Sequence, residues 1–171
     1  MTQPTTQPIV VLVGPMGAGK STVGRLLSER LGVPFRDTDD DVEAAEGRAI
    51  SDIFVDSGED HFRAAERTAV AAALADHQGV LALGGGAVTS EETRALLVGR
   101  RVVFLRVGLA DAASRVGLGA SRPLLLGNVR GTMKTLLDER TPVYESVATA
   151  VVDTDGLTPD EVAAAVLEVL A

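Results

Sequence analysis

Residues Gly14-Pro15-Met16-Gly17-Ala18-Gly19-Lys20-Ser21 match the spacing G-x-x-x-x-G-K-[ST]. Glycines at these positions let successive backbone N–H groups turn inward around phosphate oxygens, and a helix opening behind them adds its positive N-terminal end. Lys20 can then reach the β- and γ-phosphates as a point charge, and the Ser21 hydroxyl can ligate Mg²⁺. A tight strand–helix turn with glycines for packing alone would leave the lysine and the serine unexplained. The loop implies a nucleoside triphosphate. Two further groups suit a second substrate. Gly84-Gly85-Gly86 follows the apolar run Val80–Leu83, and bare backbone there lets a small, polyhydroxylated acceptor lie against the main chain with N–H groups for its oxygens. Asp37 and Asp39 sit in Phe35–Asp41, where strand alternation would place both on one side. One could support the water shell of Mg²⁺ while the other binds or deprotonates an acceptor hydroxyl. An acidic helix cap accounts for Asp40 and Asp41 and for part of Asp39.

These residues need elements to hold them. Ile9–Val13 is continuously apolar and β-branched, the pattern of a strand buried on both faces. Val23, Leu26, Leu27 and Leu31 recur at helical spacing after the loop, and Gly32 stops that helix. Val80–Leu83, Val102–Leu105 and Ala148–Val152 are further strand-length runs. Ser57 is expected to precede a helix running to about His77, Ser90 to open another, and Thr158-Pro159-Asp160-Glu161 to form a capping box with proline at the first helical position. Strands alternating with helices predict one α/β domain with a parallel sheet covered on both faces. The stretch Gly117–Gly127 interrupts the pattern with glycines and a proline, and predicts a lid.

The totals remove other classes. A net charge of −8 and only 3% aromatic residues argue against a nucleic-acid partner. No cysteine is present, so disulfides and zinc–thiolate sites are excluded. No apolar run approaches a membrane span, and residues 1–8 lack the features of a signal peptide; a cytoplasmic protein with a frayed tail over 1–8 is expected. Only Lys20 and Lys134 are lysines, so most basic residues are arginines, read mainly as solvated surface. A GTPase switch would need an Asn-Lys-x-Asp guanine reader, which is absent, and a motor would need an aspartate where Gly84-Gly85-Gly86 stands. A small-molecule kinase needs an acceptor pocket and a water-excluding lid, which the sequence can supply. His61 and His77 are assigned to helix surface, and Tyr144 to packing near Arg140.

At this point the chain resembles shikimate kinase from about Ile9 to Leu170. The resemblance rests on GPMGAGKST, on Asp37-Thr38-Asp39, on DIFVDSGEDHFR ending at Arg63, on LGGGAV, on SRPLL around Arg122, and on ERTPVYESVA containing Arg140, all in order. It implies a five-stranded P-loop fold of nucleoside monophosphate kinase type over residues 9–171, a substrate-binding region at about 37–65 and a lid at about 116–127. The implied reaction is ATP-dependent phosphorylation of the shikimate 3-hydroxyl with Mg²⁺, by a monomer. Residues Gly14 through Ser21, with Thr22, would hold ATP; Ser21 and Asp37 (through water) the metal. Asp39 would hold the shikimate hydroxyls and act as base. Arg63 and Arg140 would clamp the carboxylate, Gly84, Gly85 and Gly86 line the pocket, Arg122 swing onto the transferring phosphoryl, and Arg115 stack on adenine. The loop 153–159, where the family often has an arginine near adenine, is acidic and apolar here. A gluconate-type carbohydrate kinase and a nucleotide-dependent switch remain as alternatives.

Overall fold

The four apolar runs and the segment Phe35–Asp37 become the five strands of one parallel sheet in a computed structural model that describes residues 7–117 and 129–171. Most of the expected 1–8 tail and of the 116–127 lid, with Arg122, lies outside them. The strands are β1 (Val10–Val13), β2 (Phe35–Asp37), β3 (Val80–Ala82), β4 (Val102–Arg106) and β5 (Ala150–Asp153), in the order β2-β3-β1-β4-β5. β1 is central, with Val11 paired to Leu81 on one side and to Val102 on the other. Its residues alternate between faces, as the two-residue period of a strand requires. Val10 and Leu12 join one core cluster and Val11 and Val13 the other. Each such side chain contributes about 1.5–3 kcal/mol by leaving water.

The helices are α1 (Lys20–Leu31), α2 (Thr38–Glu46), α3 (Ile50–Ser57), α4 (Glu59–Asp76), α5 (Glu91–Leu97), α6 (Leu109–Gly117), α7 (Val129–Val147) and α8 (Pro159–Leu170). Val23 and Leu27 of α1 and Val162 and Val166 of α8 fill the first cluster. Val70 and Leu74 of α4, Leu97 of α5 and Tyr144 of α7 fill the second. Gly32, with φ 66°, ends α1 as expected, and Thr158 closes the capping box with Glu161. A third, small cluster of Val42, Ile53 and Phe62 joins α2, α3 and α4, so the region around 37–65 carries a core of its own. Among the described residues no helix is long and apolar enough to cross a membrane.

The chain runs from β3 past β1 to β4, so the strand order reverses beside β1. The carboxyl ends of strands at such a switch point form the natural ligand crevice of an α/β sheet. The loop 14–19 and the turn 84–86 leave the carboxyl ends of β1 and β3, side by side.

Three expectations need correction. Ser57 does not open the long helix: it ends α3, and Gly58, with φ 86° and ψ 169°, separates the two helices because that conformation cannot continue either. Asp37 and Asp39 do not share a strand. β2 stops at Asp37, whose carboxylate accepts from the Asp39 N–H at 2.9 Å and so starts α2. Three acids in the first turn, Asp39 to Asp41, then complement the helix dipole. His77 is not on the surface; it is buried, and its Nε2 hydrogen-bonds the Val80 carbonyl oxygen at 3.0 Å. His61 does lie on the surface, beside Glu46.

Candidate active site

The phosphate loop takes its shape from glycines held where side chains are strained. Gly14, Gly17 and Gly19 have φ of 151°, 81° and 87°, and Gly19 leads directly into α1. Lys20 Nζ lies across the loop, donating to the Gly14 and Pro15 carbonyls at 2.7 and 3.0 Å. The Ser21 hydroxyl donates to Asp37 Oδ2 at 2.7 Å, while Asp37 Oδ1 accepts from Asp39. The carboxylate of Asp37 thereby ties the nucleotide helix to the start of α2. A hydroxyl and a carboxylate are the hard oxygen donors that Mg²⁺ prefers.

The second turn is held from three sides. Gly84 N–H donates to the buried Thr38 Oγ1 at 3.3 Å, and Gly84 O accepts from Ala87 N–H at 3.1 Å. Gly85 O accepts from the Tyr144 hydroxyl at 2.5 Å. Gly86 O accepts from both the backbone and the hydroxyl of Thr89, at 3.1 and 2.6 Å. The Gly84 amide is therefore already used. Of the three glycine amides in this turn, those of Gly85 and Gly86 have no hydrogen-bond partner among the described residues.

Glycine is needed here for room. A Cβ on Gly84 would stand 2.6 Å from Asp39 Oδ1 and 2.9 Å from Glu66 Oε2; one on Gly86 would stand 2.4 Å from Arg63 Nη1. One on Gly85 would meet the Met16 backbone N at 3.4 Å, which shows how closely the two turns abut. The structure thus brings Asp37, Asp39, Arg63, Gly84–Gly86 and the phosphate loop together, although Asp39 arrives on a helix and not on a strand. Arg140 joins them from α7: it lines a small pocket with Pro15, Met16 and Tyr144, and its charge acts on the Tyr144 phenol and on Glu66.

Two residues of this cluster were not expected from the sequence. Glu66 is buried, with Oε1 2.8 Å from Arg63 Nη1. Burial pushes its carboxyl above the ordinary glutamate range, and the Arg63 charge and hydrogen bond, then Arg140, oppose that rise. Tyr144 is fully buried, and burial pushes its phenol up to about 12 against the pull of Arg140. Helical spacing carried a signal for both: Glu66 follows Arg63 by three residues and Tyr144 follows Arg140 by four, placing each on its arginine's face.

On the far side of the loop, Ala18, Gly19, Thr22, Val23, Arg115, Leu157, Pro159 and Val162 line a cleft of about 320 Å³. Arg115 Nη1 donates to Gly17 O at 2.8 Å, which holds its guanidinium at the mouth of that cleft. The acids of the 153–159 loop face elsewhere. Asp153 pairs with Arg106 at 2.5 and 2.9 Å, and Asp155 accepts from the Gly108 N–H. What the loop offers the cleft is apolar, namely Leu157 and Pro159.

Known proteins show the family. The sequence profile described as "Shikimate kinase" matches residues 16–171. A curated shikimate kinase of Salinispora arenicola is 63% identical over 164 residues, covering 96% of this chain and 98% of its own length. One from Streptomyces coelicolor is 58% identical, covering 94% of each chain. The solved shikimate kinase from Acinetobacter baumannii in complex with shikimate superposes with a TM-score of 0.92 at 36% identity, over 97% of this chain and 93% of that one.

Proposed function

The chain belongs to the shikimate kinase family, and from that premise we infer that it transfers the γ-phosphoryl group of ATP to the 3-hydroxyl of shikimate. The products are shikimate 3-phosphate and ADP, a step on the route to chorismate and the aromatic amino acids. The observation that carries the assignment of roles is the contact between the two turns: Gly85 abuts Met16 of the phosphate loop, with Asp39, Glu66 and Arg63 around the same glycines. A hydroxy-acid seated on the Gly85 and Gly86 amides lies beside the end of a triphosphate held by residues 14–22.

Asp39 orients the acceptor hydroxyl and takes its proton as oxygen attacks phosphorus and the bond to the β-phosphate oxygen breaks. Arg63 and Arg140 hold the shikimate carboxylate with guanidinium forks, the geometry that suits a planar anion. Lys20 moves from loop carbonyls to phosphate oxygens and neutralises charge that builds during transfer. Arg122 supports the transferring group, and Arg115 with Leu157 and Pro159 walls the adenine. Ser21 and Asp37, already joined through oxygen atoms, would hold Mg²⁺, which when bound draws charge from the phosphate oxygens. We further infer that the chain acts as a monomer in the cytoplasm.

The test couples ADP release to acceptor in purified protein with magnesium. Shikimate should raise ATP consumption far above the no-acceptor rate, and gluconate should not. Equal rates in the three assays would remove the reading in favour of a nucleotide switch, and a response to gluconate alone in favour of the carbohydrate kinase.

A further inference from the structure

Tyr144 is the chain's single tyrosine, and there is no tryptophan. Its ring stacks at a tilt on Phe104 with centroids 5.0 Å apart, a role phenylalanine would fill equally well. What phenylalanine lacks is the hydroxyl, which donates to the Gly85 carbonyl at 2.5 Å. No peptide bond of the described residues is cis. The Gly86 N–H, in the same peptide plane as that carbonyl, therefore points away from the phenol. Arg140, one helical turn earlier on α7, lines the same small pocket as Tyr144, and its charge acts on the phenol. One buried hydroxyl thus holds the floor of the acceptor pocket and lies beside its clamp.

We propose that Tyr144 is a positioning residue for the acceptor: its hydroxyl fixes the Gly85–Gly86 peptide with the Gly86 N–H presented to an acceptor oxygen, and keeps Arg140 in register with that peptide. This rests on the phosphotransfer reading and deepens it. The same hydroxyl ties α7 to the turn after β3, 59 residues earlier in the chain.

Tyr144→Phe removes only the hydroxyl. Val166→Ala, in the buried core of α8 on the other face of the sheet, is the comparison for general loss of stability. Loss of one well-formed hydrogen bond at the acceptor should raise the shikimate KM of Tyr144→Phe about tenfold. Its ATP KM should stay within about twofold of the unaltered protein's. Val166→Ala should lower Tm while leaving both KM values in place. A shikimate KM unchanged in Tyr144→Phe, or one that rises equally in Val166→Ala, overturns the proposal. Should Tyr144→Phe fail to fold, the emission of Tyr144 in the unaltered protein serves instead. Shikimate should change it saturably as Arg140 turns to the carboxylate, and an emission indifferent to saturating shikimate overturns the proposal. Absence of shikimate turnover in the unaltered protein would overturn both the functional reading and this inference; with turnover present, the variants test the inference alone.

Discussion

The turn after β1 and the turn after β3 both present glycine-lined backbone to a substrate, yet they need glycine for different reasons. In the first, Gly14, Gly17 and Gly19 adopt φ between 81° and 151°, where side chains are strained whatever space surrounds them. Around Gly19 a Cβ would meet nothing closer than Val23 at 3.9 Å, while at Gly14 space adds to conformation, with the Leu105 carbonyl oxygen 2.7 Å from where a Cβ would stand. In the second, Gly86 has φ −100°, open to any residue, and none of the three glycines has positive φ. There the missing Cβ atoms leave room for Asp39, Glu66 and Arg63. One turn gathers amides by bending the chain; the other exposes them by clearing side chains away. The first is a general phosphate grip. The second is fitted to particular neighbours, so its specificity lies in those neighbours as much as in the glycines.

If that division holds, the largest effects should come from the charged group beside each turn, and they should differ in kind. Lys20→Ala should cut kcat about a thousandfold, the scale of losing a preorganised charge at the reacting centre, and should weaken ATP binding as well. Asp39→Ala should cut kcat by about 10²–10⁴ with ATP binding preserved. Circular dichroism should find both variants folded, since neither side chain belongs to a core cluster. Near-normal turnover in either, measured by ADP release with shikimate, would mean that the wrong residues have been placed at the reaction.

The glycines themselves should separate next. Gly86→Ala pushes a methyl into the Arg63 guanidinium and should raise the shikimate KM about 10–100-fold, the worth of a charge-assisted hydrogen bond of roughly 1.5–3 kcal/mol, with little change in Tm. Gly19→Ala strains the backbone by about 1–2 kcal/mol and should lower Tm by roughly 2–8 °C. Gly19→Asn should lower it less, because asparagine tolerates the left-handed region better. Were Gly86→Ala to lose Tm and keep its shikimate KM, the distinction between room and conformation would be wrong.

How much of this was legible beforehand follows the same line. The phosphate loop could be read whole because it is local: its glycines, lysine and serine are consecutive, and their conformation is dictated within eight residues. Four of the five strands were likewise continuous apolar runs. The acceptor side could be read only in part. Asp37 and Asp39 were recognised as a pair but given the wrong geometry, since a three-residue strand ends where the Asp37 side chain caps the next helix, and periodicity does not register so short an element. Glu66 and Tyr144 were missed as site residues because their meaning comes from a neighbour 18 and 59 positions away, Gly84 and Gly85. His77 was misplaced for a related reason. Its partner Val80 is three residues on, but what buries it is the fold around it.

The smallest effect at neutral pH, and the most pointed about the second turn, concerns its two buried acids. Both carry folded pKa values raised above those of the unfolded chain, chiefly by burial. In each case the unfolded state gives up its proton first, so the folded state binds more protons over the intervening window and stability falls as pH rises through it. For Tyr144 that window runs from 10, its ordinary value, up to about 12. Over that range the unaltered protein should lose up to about 3 kcal/mol relative to Tyr144→Phe, read as converging urea midpoints. For Glu66 the window opens above 4.5, so Glu66→Gln should gain on the unaltered protein as pH climbs from 4 towards neutrality, while its shikimate KM rises because an amide holds Arg63 less firmly than a carboxylate. The two measurements pull in opposite directions for a reason built into the turn: an ionised Glu66 beneath Gly84 destabilises the fold and orients the clamp. A variant more stable at pH 7 with an unchanged shikimate KM would show that the buried carboxylate does nothing for Arg63, and that the space cleared by Gly84 serves packing alone.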